Sequence, residues 1–160
     1  MGSKKEREFT VAVDTREKIP LWDVDDKKFF IVHQKVDAGD YAFADDEIKH
    51  LITIERKKSF NELYANFTRH RERFYNEINR MKKYKRRFIV IEQNASDALN
   101  PFSYRTTASK RRAAIAIVLS SIINLMLLHD VHVVFAGDSA KSIIRQLFVK
   151  TYEYYKKNKL

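Results

Sequence analysis

The chain has 160 residues, with 31 Lys and Arg against 21 Asp and Glu, a formal net charge of +10 and a sequence pI near 9.7. Hydrophobic residues make up 44%, and Gly and Pro number only 3 and 2, which excludes a largely disordered chain and fits one domain with a core of its own. With no cysteine there are neither disulfides nor thiolate metal sites, and so basic a chain calls for a polyanionic partner, nucleic acid before membrane.

The first residues, MGSKKEREF, hold no apolar stretch of the signal-peptide kind. Residues 1–8 are expected to form a flexible basic tail, residues 9–157 a single domain and residues 158–160 a C-terminal tail, in an intracellular protein of the cytoplasm or nucleoid. Phe9 to Val13 reads as a strand closed by Asp14-Thr15-Arg16-Glu17, and Phe29 to Val36 as a second. Trp22, close after Pro20, is expected as a hydrophobic plug rather than a base wedge. Tyr41 to Ala44 and His50 to Glu55 form the arms of a hairpin around Asp45-Asp46-Glu47.

Ser59-Phe60-Asn61-Glu62 has the spacing of a capping box. One helix is expected to follow, with Phe60, Leu63, Phe67, Phe74, Ile78 and Met81 mostly on one face. Arg86 to Glu92 is another strand, its run Phe88-Ile89-Val90-Ile91 of the type buried in parallel sheets. Asn100-Pro101 breaks the chain. A long helix is expected from about Ser109 to Leu128, then a strand over Val131 to Phe135, and a last helix opened by Gly137-Asp138-Ser139. The apolar segment Ala113 to Leu128, interrupted by Ser120-Ser121 and Asn124, is shorter than the roughly 20 residues of a membrane span, so it is read as a core or dimer-forming helix and no membrane is expected. His129 and His132 lack further ligands for zinc, and Tyr152, Tyr154 and Tyr155 suit helix packing. Strands followed by alternating helices and strands indicate an α/β domain with a mixed sheet.

The chemistry concentrates on residues 39–57, GDYAFADDEIKHLITIERK. Mg²⁺ is held by one or two carboxylates while keeping several waters, and Asp40 and Glu55 offer them at the ends of paired strands. Lys57, two residues beyond Glu55, shares its face of the strand, while Arg56 points to the other. Two carboxylates and a lysine are what metal-dependent phosphodiester hydrolysis needs. On spacing alone, Glu55 and Lys57 can equally form a salt bridge on an exposed strand, Asp14 can be a turn residue, and the charges of Arg71, Arg73, Arg80 and Lys110-Arg111-Arg112 can be solvated faces rather than phosphate contacts.

Taken in order, Val13-Asp14-Thr15-Arg16-Glu17, Gly39-Asp40-Tyr41, Ile54-Glu55-Arg56-Lys57 and Arg71-Glu72-Arg73-Phe74 through Glu77 to Arg80-Met81 resemble the nuclease domain of the XPF-type structure-specific endonucleases, within the PD-(D/E)XK superfamily. The resemblance covers most of residues 9 to 92. It implies a restriction-endonuclease-like fold, a mixed central sheet flanked by helices. It also implies cleavage of branched DNA (flaps, forks or Holliday junctions) with Mg²⁺ or Mn²⁺, in recombination, repair or replication. By the same carry-over Asp40 and Glu55 are metal ligands with Asp14 as a third carboxylate. Lys57 orients or deprotonates the water, and Arg16, Glu17 and Arg56 bind the scissile phosphate or brace the site. A homodimer follows as the default, with a helicase or recombination protein as a conceivable further partner.

The family often has an Asp four residues after the motif lysine; here that place holds Asn61, followed by Glu62, which either substitutes or only caps its helix. With no Walker P-loop and no room for a tandem helix-hairpin-helix module, the expectation is a stand-alone domain of the kind carried by phages and some bacteria. The competing reading is a catalytically idle DNA-binding scaffold, against which the intact Asp40, Glu55 and Lys57 argue. An RNA-directed domain comes last, since no RNA-recognition signature is present.

Overall fold

Period-two alternation of apolar residues generates the sheet, and its two faces then select the helices that cover them. In this computed structural model residues 6–98 and 107–160 are described; the break at Asn100-Pro101 lies outside them. The strands are β1 (Phe9–Val13), β2 (Phe29–His33), β3 (Tyr41–Phe43), β4 (Ile52–Lys57), β5 (Arg86–Ile91) and β6 (His132–Phe135). They lie side by side in the order β2-β1-β3-β4-β5-β6. β1 runs parallel to β2 and antiparallel to β3, β3 antiparallel to β4, and β4, β5 and β6 parallel to one another. The sheet is therefore mixed, with the expected hairpin at its centre.

The helices are α1 (Phe60–Phe67), α2 (Arg71–Met81), α3 (Ala95–Ala98), α4 (Ala108–His129) and α5 (Ala140–Lys156). One face of the sheet presents Val11, Val13, Tyr41, Phe43, Ile52, Ile54 and Val90 to α5 and to Trp22. The other presents Ala12, Ala42, Ile89 and Ile91 to α1, α2 and α4. Side chains such as Phe29, Tyr41 and Phe43 are almost wholly buried, and burial of each apolar side chain of this size contributes about 1.5–3 kcal/mol. Trp22 is the expected plug, edge-on to Phe29 and Tyr41 at 5.6 and 5.8 Å. Tyr152 and Tyr155 pack against the same core, whereas Tyr154 is exposed. His129 and His132 go separate ways, against Tyr75 and Phe88 respectively.

Several sequence-based boundaries shift, the second hairpin arm from His50–Glu55 to Ile52–Lys57 among them. β2 ends at His33, not Val36, because the chain beyond it is drawn away: Val36 N–H donates to Asp14 Oδ2 at 2.8 Å rather than to a strand partner. The helix expected from Ser59 to Met81 is two helices. Thr68 Oγ1 donates back to Tyr64 O at 2.7 Å and the backbone turns at Thr68–His70 before α2 begins. Phe67 and Phe74 still meet across the break, edge-on at 5.3 Å. A 3-10 turn over Gly137–Ser139 precedes α5. Lastly, α4 runs 22 residues and is, by length and composition alone, long and apolar enough to cross a membrane. Here its inner face, Val118, Ile122 and Leu125, joins the core shared with α1 and α2.

One backbone position fixes how β3 enters the sheet. Gly39 sits at φ +85, and a Cβ there would overlap Thr53 Oγ1 and stand 3.0 Å from Ile54 O. Left-handed backbone is strained for other residues, so Gly39→Ala is expected to cost about 1–3 kcal/mol or more. Urea unfolding of the variant against the parent measures this; equal midpoints would show that the strand entry tolerates a side chain.

Candidate active site

Strand register builds the site. Carrying the pairs Val13↔Tyr41 and Tyr41↔Ile54 one residue further sets Asp14 opposite Asp40 and Asp40 opposite Glu55. Backbone bonds hold the row together: Asp14 N–H donates to Asp40 O at 2.8 Å and Asp40 N–H to Ile54 O at 2.9 Å. Since Val13, Tyr41 and Ile54 face α5, the residues one step on face α1 and α2. Three carboxylates on neighbouring strands thus share one face, an arrangement that repels itself unless cations intervene.

Each end of the row has its cation. At one end Glu55 Oε1 accepts from Lys57 Nζ at 2.7 Å, with Glu62 3.7 Å from the same nitrogen and the Phe74 ring beneath it at 5.8 Å. Burial pulls the Lys57 ammonium down, but the Glu55 charge and hydrogen bond overcome this and leave it raised. It is thus held as a cation and hydrogen-bond donor. Glu55 itself is pushed up by burial, against the pull of Lys57.

At the other end Asp14, 1% exposed, is taken up by Arg16. Oδ1 accepts from Arg16 N at 2.9 Å and Arg16 Nε at 2.6 Å, and Oδ2 from Val36 N at 2.8 Å and Arg16 Nη2 at 3.1 Å. A carboxylate has about four acceptor positions, and all are used. Asp14, expected from the sequence as a third carboxylate of the site, is bonded here to Arg16 and to the Val36 amide. Burial opposes its ionisation, yet the Arg16 bond and the two backbone donors hold it below the usual carboxylate range.

The middle of the row is uncompensated. Asp40 Oδ2 accepts from Arg56 N–H at 2.8 Å, but no side-chain cation pairs with Asp40 among the described residues. Burial, and then the Glu55 charge, push its carboxyl up to about 8. Two partly buried carboxylates with open lone pairs and an excess of negative charge are a donor set that suits Mg²⁺ or Mn²⁺, which need only one or two carboxylates beside water. Among the described residues no three Asp, Glu or His side chains converge as a ready-made metal cage.

These groups line a cleft of about 470 Å³ together with Gly39, Glu62, Asn66, His70, Arg73, Phe74 and Glu77. α1 turns Glu62 and Asn66 toward it, α2 turns Arg73 and Glu77, and His70 reaches it from the turn between the two helices. Glu77 is the participant that sequence reasoning left unassigned: its Oε1 accepts from Gly39 N–H at 2.8 Å, fixing the loop that carries Asp40, while Oε2 pairs with Arg80. The signal available was its place on α2, three residues after Phe74 and beside buried Ile78. Ser59 caps α1 by accepting from Glu62 N–H at 3.2 Å, and Glu62 Oε2 reaches back to Lys58 N–H at 2.9 Å, so Glu62 caps its helix and edges the cleft at once.

Arg56 turns away from the cleft and braces it. Its fork meets Glu92 at 2.6 and 3.2 Å, donates to Ile19 O at 2.5 Å, and lies 3.5 Å from Glu17. Only 7% of its side chain is exposed, and its bonds to Glu92, Ile19 and Glu17 tie the strand ends together. Of the basic residues expected on DNA, Arg16 and Arg73 line the cleft. Arg80 is occupied by Glu77, and Arg71 lies over the Tyr75 ring at 4.9 Å. Lys110, Arg111 and Arg112 fall within the opening turns of α4, outside the cleft lining.

The molecule is thus an α/β domain with a six-stranded mixed sheet that carries a cleft of carboxylates and a lysine. The chain belongs to the ERCC4 domain family, which it matches over residues 13–144. Among solved structures, XPF from Aeropyrum pernix is similar over 86% of this chain and 63% of that one, at 21% identity and a TM-score of 0.55. XPF from the same organism in complex with DNA is similar over 94% and 66%, at 16% identity and a TM-score of 0.61. The chain spans about 63–66% of the length of these structures, and the likeness to them is one of fold. No curated protein matches it by sequence.

Because Asp40 titrates near 8 when folded and near 3.8 when not, the folded protein binds more protons between those values and loses stability as pH rises through that window. Asp40→Asn is expected to melt higher than the parent at pH 8 without divalent ion, by about 2–4 °C for each kcal/mol relieved, with the difference closing toward pH 4. Adding Mg²⁺ or Mn²⁺ is expected to raise the melting temperature of the parent and not of the variant. Differential scanning fluorimetry reads both.

Proposed function

We propose that this domain is a divalent-metal-dependent, structure-specific endonuclease that cuts phosphodiester bonds at branched DNA such as flaps, forks or four-way junctions. The observation that carries the reading is the meeting of Asp40, Glu55 and Lys57 in one cleft, with Asp40 left short of positive charge. A divalent ion held by Asp40 and Glu55 would supply Lewis-acid polarisation of the phosphate and a more acidic water. Lys57 Nζ presents N–H donors beside Glu55, where negative charge grows on the phosphate during in-line attack. Arg56, by donating its N–H to Asp40 Oδ2, keeps that carboxylate turned toward the cleft, and Glu77 does the same for the loop that precedes it.

DNA grip is assigned to the surplus of basic residues. α4 has no acid in its first turn and carries Lys110, Arg111 and Arg112 near its start, where cations oppose the helix dipole. A positive helix end with added cations suits phosphate oxygens. A DNA substrate also sets the protein's work inside the cell.

Purified protein incubated with labelled flap, fork, four-way and linear DNA tests the reading. Branched substrates are expected to be nicked with Mg²⁺ or Mn²⁺ and not with chelator, leaving 5′-phosphate and 3′-hydroxyl ends. Glu55→Gln and Lys57→Ala are each expected to lower the rate by about 10²-fold or more while DNA binding is largely kept. Cleavage that survives both substitutions would sink the site assignment, and a protein that binds branched DNA but never cuts would be the idle scaffold.

A homodimer belongs to the same proposal. The outer face of α4 exposes Ile123, Met126, Leu127 and Leu128, the last two at 76% and 72%. A contiguous apolar face of this kind is what protein interfaces cover. Light scattering on the eluting protein is expected to give twice the chain mass, and Ile123→Glu with Leu127→Glu to give the single mass with the fold retained; a parent that runs as a single chain at micromolar concentration overturns it.

A further inference from the structure

Six of the eight residues from Arg80 to Arg87 are basic, and none of them lines the catalytic cleft. The run closes α2 and opens β5. Part of it borders a second groove, of about 430 Å³, on the same face of the sheet as the cleft. Ala12 and Ala42, with Ala44 just past β3, lie along its floor, and such short side chains leave depth there. Lys35 reaches the groove from the chain after β2, Lys49 and His50 from the chain before β4, and Lys83 from just beyond α2. All four are exposed.

Groove and cleft share a wall. In the segment 34–40, Lys35, Val36 and Asp37 line the groove while Gly39 and Asp40 line the cleft. α2 and the residues after it pin that segment, with Glu77 on the Gly39 amide at 2.8 Å and the Tyr84 hydroxyl against the amides of Asp37 and Ala38. The groove has two acids, Asp37 at 3.8 Å from Lys83 and Asp46 at 2.7 Å from Lys49, and all four of these side chains are more than half exposed. Exposed ion pairs hold weakly, so a phosphate can take either lysine from its acid. Lys35 has no ion pair among the described residues.

We propose that this groove receives the single-stranded arm of a branched DNA as it leaves the catalytic cleft, with phosphates on Lys35, Lys49 and Lys83 and bases over the alanine floor. The inference rests on the endonuclease reading and gives the arm of that substrate a place. Sites for single strands join a positive track to surfaces on which bases lie; the lysines supply the first, and the floor with the exposed His50 ring the second. A recess on the scale that encloses a small molecule admits single bases and not a duplex, whose major groove alone is about 12 Å wide.

Anisotropy in chelator, on labelled forks whose one single-stranded arm is graded from about 2 to about 16 nucleotides, tests this. Affinity of the parent is expected to rise about tenfold with arm length and then level off, and the gain is expected to vanish in the triple variant Lys35→Gln, Lys49→Gln, Lys83→Gln. Each single-strand phosphate contact contributes about 0.7 to the slope of log affinity against log salt, so for the longest arm the triple variant is expected to lose about 2 from that slope. Lys156→Gln with Lys157→Gln and Lys159→Gln removes the same charge at the end of α5, on the opposite face of the sheet, and is expected to keep the gain.

An affinity of the parent that is indifferent to arm length overturns the proposal. So does a gain that survives in the groove variant, or one lost equally in the α5 variant. Should the triple variant fail to fold, Lys35→Gln, which breaks no ion pair, is expected to lose about 0.7 of the slope, and an unchanged slope there overturns the proposal too. A parent that shows the gain and cuts no substrate fails the endonuclease reading and keeps the groove; one that cuts and shows no gain fails the groove alone.

Discussion

Mutual repulsion among three carboxylates on one sheet face is the constraint around which the domain is arranged. Strand register alone sets Asp14, Asp40 and Glu55 in a row, and a row of like charges across adjacent strands is unfavourable. The fold answers at both ends, with Arg16 on Asp14 and Lys57 on Glu55, and gives Asp40 in the middle no side-chain cation among the described residues. α1 and α2 deepen the problem by covering the row, since burial is the leading cause that pushes Asp40 and Glu55 up. Stability is given up there and recovered in the two apolar layers on either side of the sheet.

The chain is basic as a whole and acidic at its centre. A surplus of cations across the surface draws a polyanion in, while the cleft lining adds Glu62 and Glu77 to the row, so a phosphate can settle there only with help. A divalent ion bound there, as proposed, would reconcile substrate charge with ligand charge at the one point where both must meet.

Much of this was legible in the sequence because it depends on short-range periodicity. The hairpin, the cap at Ser59, the buried run from Phe88 to Ile91 and the pairing of Glu55 with Lys57 all follow from spacing of two to four residues. The break between α1 and α2 was also written there, as a gap in the apolar stripe between Phe67 and Phe74 filled by His70 and Arg71, but a seven-residue interval looks like two regular turns unless Thr68 is recognised as a stop. What spacing does not carry is competition for hydrogen bonds. Asp14 reads as a third carboxylate from its position, and nothing in the spacing shows that Arg16 and the distant Val36 amide bond to it. Glu77 reads as one more charge on a polar helix until the Gly39 amide is found beside it.

The Arg56 fork separates two meanings of the motif Glu55-Arg56-Lys57. Glu55 and Lys57 face the cleft, but Arg56 joins the end of β4 to Glu92 after β5 and to Ile19 and Glu17 after β1. A planar guanidinium does this and a lysine does not, so the middle position is held by architecture. A descendant that had lost all cleavage would still be under pressure to keep that arginine. Drift at the two flanking positions, with the centre unchanged, is therefore the trace an inactivated copy of this domain would leave in its sequence.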